Sequence, residues 1–98
     1  MIVLAKMKAK EGSEKKLEDA LVEMVKKVNE EEGTLLYTVS RSQGDPKEFL
    51  IYEKYVDMDE FVHHTSTSHF KELSDSLASI LDGAPEVGMY DELAALGK

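Results

Sequence analysis

From Ile2 to Ala9 apolar residues dominate and alternate only in part, the pattern of a strand buried on both faces. Glu11-Gly12 breaks it, and Ser13 stands where a helix cap belongs, with Glu14 in the first turn where its charge suits the helix dipole. Leu17, Ala20, Leu21, Met24, Val25 and Val28 then recur at helical spacing and form one apolar stripe. Glu18, Asp19, Glu23, Lys26 and Lys27 make the opposite, solvated face. Gly33 follows, and a residue without a Cβ permits the left-handed conformation that often closes a helix. Thr34 to Arg41 alternates as a strand, with Leu35, Tyr37 and Val39 on one face and Thr38 and Ser40 on the other. Gln43-Gly44-Asp45-Pro46 is a turn, and Phe49 to Val56 returns as a second strand, making a hairpin.

Asp57 with Glu60 three residues later marks a helix start. This short helix carries Phe61 and His64, and the polar run Thr65 to Ser68 interrupts it. Ser68 is placed to cap a second segment in which Phe70, Leu73, Leu77, Ile80 and Leu81 keep helical spacing. Gly83 and Pro85 stop that segment, and Val87 to Tyr90 forms a last strand. The order strand, helix, strand, strand, helix, strand is the split βαβ arrangement of α+β ferredoxin-like folds. Its helices cover one face of an antiparallel sheet. Yet both alternating sets of the strands hold large apolar groups, Leu36, Leu50, Tyr52 and Val56 among them. The bare face needs a cover, and a second copy packed sheet against sheet supplies one, so a homodimer is expected.

Composition narrows the classes. At 98 residues the chain is expected to be a single domain spanning 1–98, burying only about 60–65% of its unfolded surface, for which oligomerisation compensates. A net charge of −8 argues against nucleic-acid and anionic-membrane partners, which need a basic patch. No cysteine is present, which removes disulfides, thiolate catalysis and Cys-type zinc sites. The apolar start turns charged at Lys6, too early for a signal peptide, and no run approaches the roughly 20 apolar residues of a membrane span. A cytoplasmic protein is expected.

The candidate chemistry lies in two places. His63, His64 and His69 fall close together, but adjacent rings on a helix point about 100° apart and an i, i+5 pair does not face, which is poor spacing for a metal. They read either as boundary residues without a role or as cavity groups. His64 is the better cavity candidate because it shares an apolar helix face with Phe61. His69 sits in the first turn of the next helix, where the dipole disfavours imidazolium. On the third strand Glu53 lies among Tyr52, Tyr55 and, across the hairpin, Tyr37. If buried, its pKa rises and it serves in proton transfer; otherwise it pairs with Arg41 or a lysine at a sheet edge. Hairpin register decides whether Tyr37 faces Glu53 or Tyr52, and one residue of turn length reverses the answer.

Three stretches together resemble the antibiotic biosynthesis monooxygenase family: Glu32-Gly33-Thr34-Leu35-Leu36-Tyr37, Tyr52-Glu53-Lys54-Tyr55, and His64-Thr65-Ser66-Thr67-Ser68-His69-Phe70. The resemblance implies a homodimeric α+β barrel with a cavity between sheet and helices in each subunit. It implies cofactor-independent monooxygenation of a small electron-rich aromatic, quinol-like or polyketide-like, with no metal. In that picture His64 and Glu53 are catalytic, and Tyr37, Tyr55, His69 and Phe70 bind or support the substrate. Isomerisation of a small molecule, or ligand binding without chemistry, are the alternatives. Haem-degrading relatives use an asparagine, a tryptophan and a histidine. This chain has no tryptophan, and its only asparagine is Asn29.

Overall fold

The computed structural model describes residues 1–98. The chain runs β1 (Ile2–Lys8), α1 (Glu14–Val28), β2 (Thr34–Arg41), β3 (Glu48–Tyr55), α2 (Met58–Thr65), α3 (Ser68–Leu77) and β4 (Glu86–Tyr90). The strands form one antiparallel sheet in the order β2-β3-β1-β4, so β1 and β3 are central. This is the α+β ferredoxin-like arrangement. No helix is long and apolar enough to cross a membrane.

Local chemistry sets the element boundaries. Ser13 occupies the N-cap of α1 without a side-chain cap bond; the Glu14 carboxylate instead accepts the Gly12 N–H at 3.2 Å. Asp57 caps α2 by accepting the Glu60 N–H at 3.0 Å. The cap of α3 is Thr67, one residue before the expected Ser68, and its hydroxyl accepts the Phe70 N–H at 3.2 Å. Gly33 does not adopt a left-handed conformation; only Gly12 and Gly83 do. A Cβ at this position would run into the Glu60 side chain, which would have to move aside. The helix α1 ends at Val28 with Asn29 as its C-cap, four residues before Gly33.

The apolar stripe of α1 buries Leu17 and Leu21 against Ala5, Met7, Phe49 and Ile51 of the central strands. Each such full burial is worth about 1.5–3 kcal/mol. Leu77, Ile80 and Leu81 close this core from α3 and the turn after it, where Leu81 bridges to Ala9.

Register places the site. Tyr37 pairs with Glu53 and Val39 with Ile51, so these four share the helix side of the sheet. The ladder is broken once, between Thr34 and Leu36: Thr34 pairs with Tyr55 and Leu36 with Lys54, which leaves Leu35 as an extra residue. Leu35 is therefore exposed and does not share the face of Tyr37. On the side away from the helices Leu36, Leu50 and Tyr90 are 44%, 41% and 54% exposed, an apolar surface without a cover in the single chain.

Candidate functional site

Two carboxylic acids and one histidine are buried: Glu31, Glu53 and His64, at 7%, 5% and 1% exposure. Burial of charge is costly, so their partners define what they do. His64 projects from the last turn of α2 into a ring of aromatics. Phe70 meets its ring edge-on at 5.3 Å between centroids, and Tyr55 and Tyr37 lie tilted at 5.5 and 5.7 Å.

Glu31 lies in the turn between α1 and β2 and holds His64 from below. Its two oxygens stand 2.9 and 3.1 Å from His64 Nδ1. The Thr34 hydroxyl donates to the same carboxylate at 2.9 Å, and His69 Nε2 meets its other oxygen at 2.5 Å. Burial pushes the Glu31 pKa up, but the bonds from His69, Thr34 and His64 outweigh it and hold the carboxyl below its ordinary range. An ionised carboxylate accepts only, so His64 Nδ1 carries the proton and Nε2 is left with its lone pair.

That lone pair has no protein partner. His64 Nε2 lies 3.9 Å from Glu53 Oε1, beyond hydrogen-bond range. The Tyr55 hydroxyl donates to Glu53 Oε1 at 2.6 Å, and the second Glu53 oxygen makes no bond within the protein. No sealed-off polar side-chain atom goes unpaired, so Nε2 and this oxygen open onto free space. The space is a cavity of about 180 Å³ between the helix side of the sheet and α2 and α3. Tyr37, Phe61, Phe70 and Leu73 contribute to its walls, with Pro85 just before β4, Val87 within it, and the hydroxyl residues Thr65 and Ser74.

Burial pushes Glu53 up to about 7; the Tyr55 hydroxyl opposes the shift and the Glu31 charge adds to it. Burial lowers the His64 pKa, with Glu31 opposing. At neutral pH the cavity therefore ends in a neutral imidazole that accepts a proton and a carboxyl group that is half protonated. Burial likewise raises Tyr37 and Tyr55, which stay phenols.

The structure divides the six residues singled out in the sequence. His64, Glu53, Tyr37 and Phe70 line the cavity. Tyr55 is 1% exposed, does not line it, and instead positions Glu53 through its hydroxyl. His69 turns toward a separate groove between α1 and α3 and holds Glu31. The residue that sequence reasoning missed is Glu31. Its only signal is its place in Glu30-Glu31-Glu32, immediately before the Gly33-Thr34 strand start.

Glu31, His64 and His69 also offer ligand atoms within 4.8 Å of one another, a donor set suited to a divalent cation. In this structure the carboxylate meets the two imidazoles directly, at hydrogen-bond distances of 2.5–3.1 Å.

The fold and site thus define a ferredoxin-like α+β protein whose apolar cavity ends in a proton acceptor beside an ionisable carboxyl group. The family profile of the antibiotic biosynthesis monooxygenases matches residues 1–75, and the chain belongs to that family. Among solved structures, a Caulobacter crescentus CB15 protein named among these monooxygenases is 26% identical, covering 95% of this chain and 89% of its own, at a TM-score of 0.89. A Deinococcus radiodurans protein so named is 23% identical over 98% of this chain and 95% of that one, at 0.89. A third, from Nitrosomonas europaea, is 19% identical over 95% and 98%, at 0.91. The last two establish likeness of fold alone. No curated protein matches the chain by sequence.

Proposed function

We propose that the protein is a cofactor-independent monooxygenase of a small electron-rich aromatic. The observation that carries this reading is the unpaired Nε2 of His64, fixed as a proton acceptor by Glu31 and facing an apolar cavity. A phenol bound with its hydroxyl at Nε2 loses its proton to His64, and the imidazolium so formed is stabilised by Glu31. The phenolate is rich enough in electrons to reduce dioxygen, while the apolar walls keep water away. The stoichiometry needs no other reductant: a phenol and dioxygen give a quinone and one water, all four electrons coming from the ring. Membership in a family named for monooxygenases supports the reaction class.

The working unit in this reading is a homodimer. The exposed row of Leu36, Leu50 and Tyr90 supports it, because a partner's sheet would cover it.

Oxygen uptake by the purified protein, offered phenols and hydroquinones against a buffer blank, tests the activity. Uptake that is lost in a folded His64→Ala variant is the expected result. Uptake equal in both, or none above blank, rejects it.

A second reading rests on Glu53. With its pKa near 7 beside a neutral imidazole, the pair is suited to move one proton off and one onto an enolisable substrate, an isomerisation without oxygen. Turnover under argon selects this reading over the first.

A further inference from the structure

The break between α2 and α3 gives two histidines a relation that their spacing in the chain does not suggest. α2 stops at Thr65 and α3 begins at Ser68, so His64 and His69 stand on separate helices and the single-helix geometry of an i, i+5 pair does not apply. His64 Nδ1 and His69 Nε2 both aim at Glu31, and one ligand atom from each of the three lies within 4.8 Å of the other two. Glu31 is a buried carboxylate whose partners are these two imidazoles and the Thr34 hydroxyl; no lysine or arginine pairs with it. Buried charges are as a rule paired with a counter-charge or bound to a metal.

Two imidazoles and one carboxylate are a donor set for first-row divalent cations. A neutral imidazole presents a lone pair in place of its N–H by moving one proton across the ring. Ligands about 2.1 Å from such an ion stand roughly 3.0–3.4 Å apart. His64 Nδ1 is already 2.9 and 3.1 Å from the two carboxylate oxygens, and His69 Nε2, at 2.5 Å, has the furthest to move. The His69 side chain is 15% exposed, on the groove between α1 and α3 that Glu23, Lys27 and Glu72 also line. That groove is a way in for a cation, and its net negative rim and the chain's charge of −8 favour one there. The Thr34 hydroxyl bonds Oε1 of Glu31 and His69 meets Oε2. An ion taken by Oε2 therefore leaves Thr34 to hold the carboxylate, as the outer partners of metal ligands do.

We propose that Glu31, His64 and His69 form a binding site for a first-row divalent cation, on the side of His64 away from the cavity and reached from the groove between α1 and α3. Ligation at Nδ1 moves the His64 proton to Nε2, the nitrogen that faces the cavity. The ion thus turns the cavity's proton acceptor into a donor without entering the cavity. Where His64 acts as the base, as in the oxygenase reading, filling the site switches that base off.

Zinc binding to the full chain, first stripped with EDTA, tests the site without any turnover. Calorimetry should show one Zn²⁺ bound per chain and no matching site for Mg²⁺, which prefers oxygen ligands. Changes to the outer partners of metal ligands already weaken binding about 10–100-fold, so His69→Ala should weaken it at least as much. His63→Ala, at an exposed position of α2, should leave it unchanged. In ¹⁵N spectra of the wild type, which do not depend on how a variant folds, Zn²⁺ should turn His64 Nε2 from an unprotonated into a protonated nitrogen. The proposal is overturned by no saturable Zn²⁺ binding, by Mg²⁺ bound as tightly as Zn²⁺, or by His69→Ala binding Zn²⁺ as wild type does. It is equally overturned if saturating Zn²⁺ leaves His64 Nε2 unprotonated. The oxygenase reading fails separately: Zn²⁺ bound at these residues with oxygen uptake undiminished removes His64 as the base and leaves the cation site standing.

Discussion

Replacing Glu31 with glutamine keeps the volume of the side chain and removes its charge. Three donors converge on its two oxygens: the Thr34 hydroxyl, the His64 Nδ1–H and the His69 ring nitrogen. Glutamine has one acceptor oxygen and an NH₂ group that donates. The Thr34 hydroxyl adapts by accepting from that NH₂. His64 Nδ1 faces both oxygen positions, so wherever the amide oxygen sits the NH₂ group crowds the Nδ1–H. Moving the proton to Nε2 relieves that clash and turns the cavity-facing nitrogen from an acceptor into a donor. If the proton stays, a buried N–H faces another N–H. Either way the folded state loses about 1.5–3 kcal/mol, the range for a buried hydrogen bond to a charged group. The pH dependence has a definite sign. Because the folded pKa of Glu31 lies below its ordinary value, its stabilisation is complete above about pH 4.5 and fades as pH falls through the folded value. Urea unfolding followed by circular dichroism should therefore show Glu31→Gln less stable at pH 7, with the gap closing in acid. In ¹⁵N spectra the His64 Nε2 signal should change from an unprotonated to a protonated nitrogen, and turnover should fall about 100-fold or more as the base is lost. A variant with an unprotonated Nε2 and a stability within 0.5 kcal/mol of wild type, roughly the noise of surface substitutions, would refute the role of Glu31 as the group that fixes the tautomer.

Other substitutions probe the remaining features. Glu53 is protonated in the folded chain up to about pH 7 but ionises near 4.5 when unfolded, so it destabilises the fold progressively between these values. Glu53→Gln should be more stable than wild type by up to about 3 kcal/mol at pH 8 and gain little at pH 4, measured by urea midpoints. Tyr55→Phe removes the hydroxyl that lowers the Glu53 pKa, so the Glu53 ionisation, read by ¹³C carboxyl titration, should move to higher pH. Leu50→Lys places a charge in the middle of the exposed apolar face and should convert the proposed dimer to monomer in light scattering, with little effect on helix content.

Much of this fold is legible in the order of residues because each element's periodicity agrees with its neighbours'. The stripe from Leu17 to Val28 reads as an amphipathic helix, and four of its six members, Leu17, Leu21, Met24 and Val28, are buried. The errors are local. Gly33 looked like a helix terminator, while a Cβ there would meet a distant side chain, Glu60, that no short-range rule connects to it. His64 stood out because a histidine on the Phe61 face of a short helix has to be buried or paired. Glu31 did not, because it is one of three consecutive glutamates in a chain with 20 acidic residues. Only the closing of the turn from α1 to β2 selects which of the three points inward. The pairing of Tyr37 with Glu53 was equally hidden, since register depends on turn length and on an extra residue in β2 that no composition rule marks.

That extra residue has a consequence for how such a site is inherited. In a straight ladder the position opposite Tyr55 would belong to Leu35, and a leucine there offers Glu31 no hydroxyl. The insertion shifts the phase by one, and Thr34 takes the place. A sequence without the insertion reaches the same arrangement by exchanging that leucine for serine or threonine. An added residue and a point substitution are thus interchangeable solutions to one requirement. Aligning relatives by residue type alone will misplace the hydroxyl by one position wherever a lineage has chosen the other.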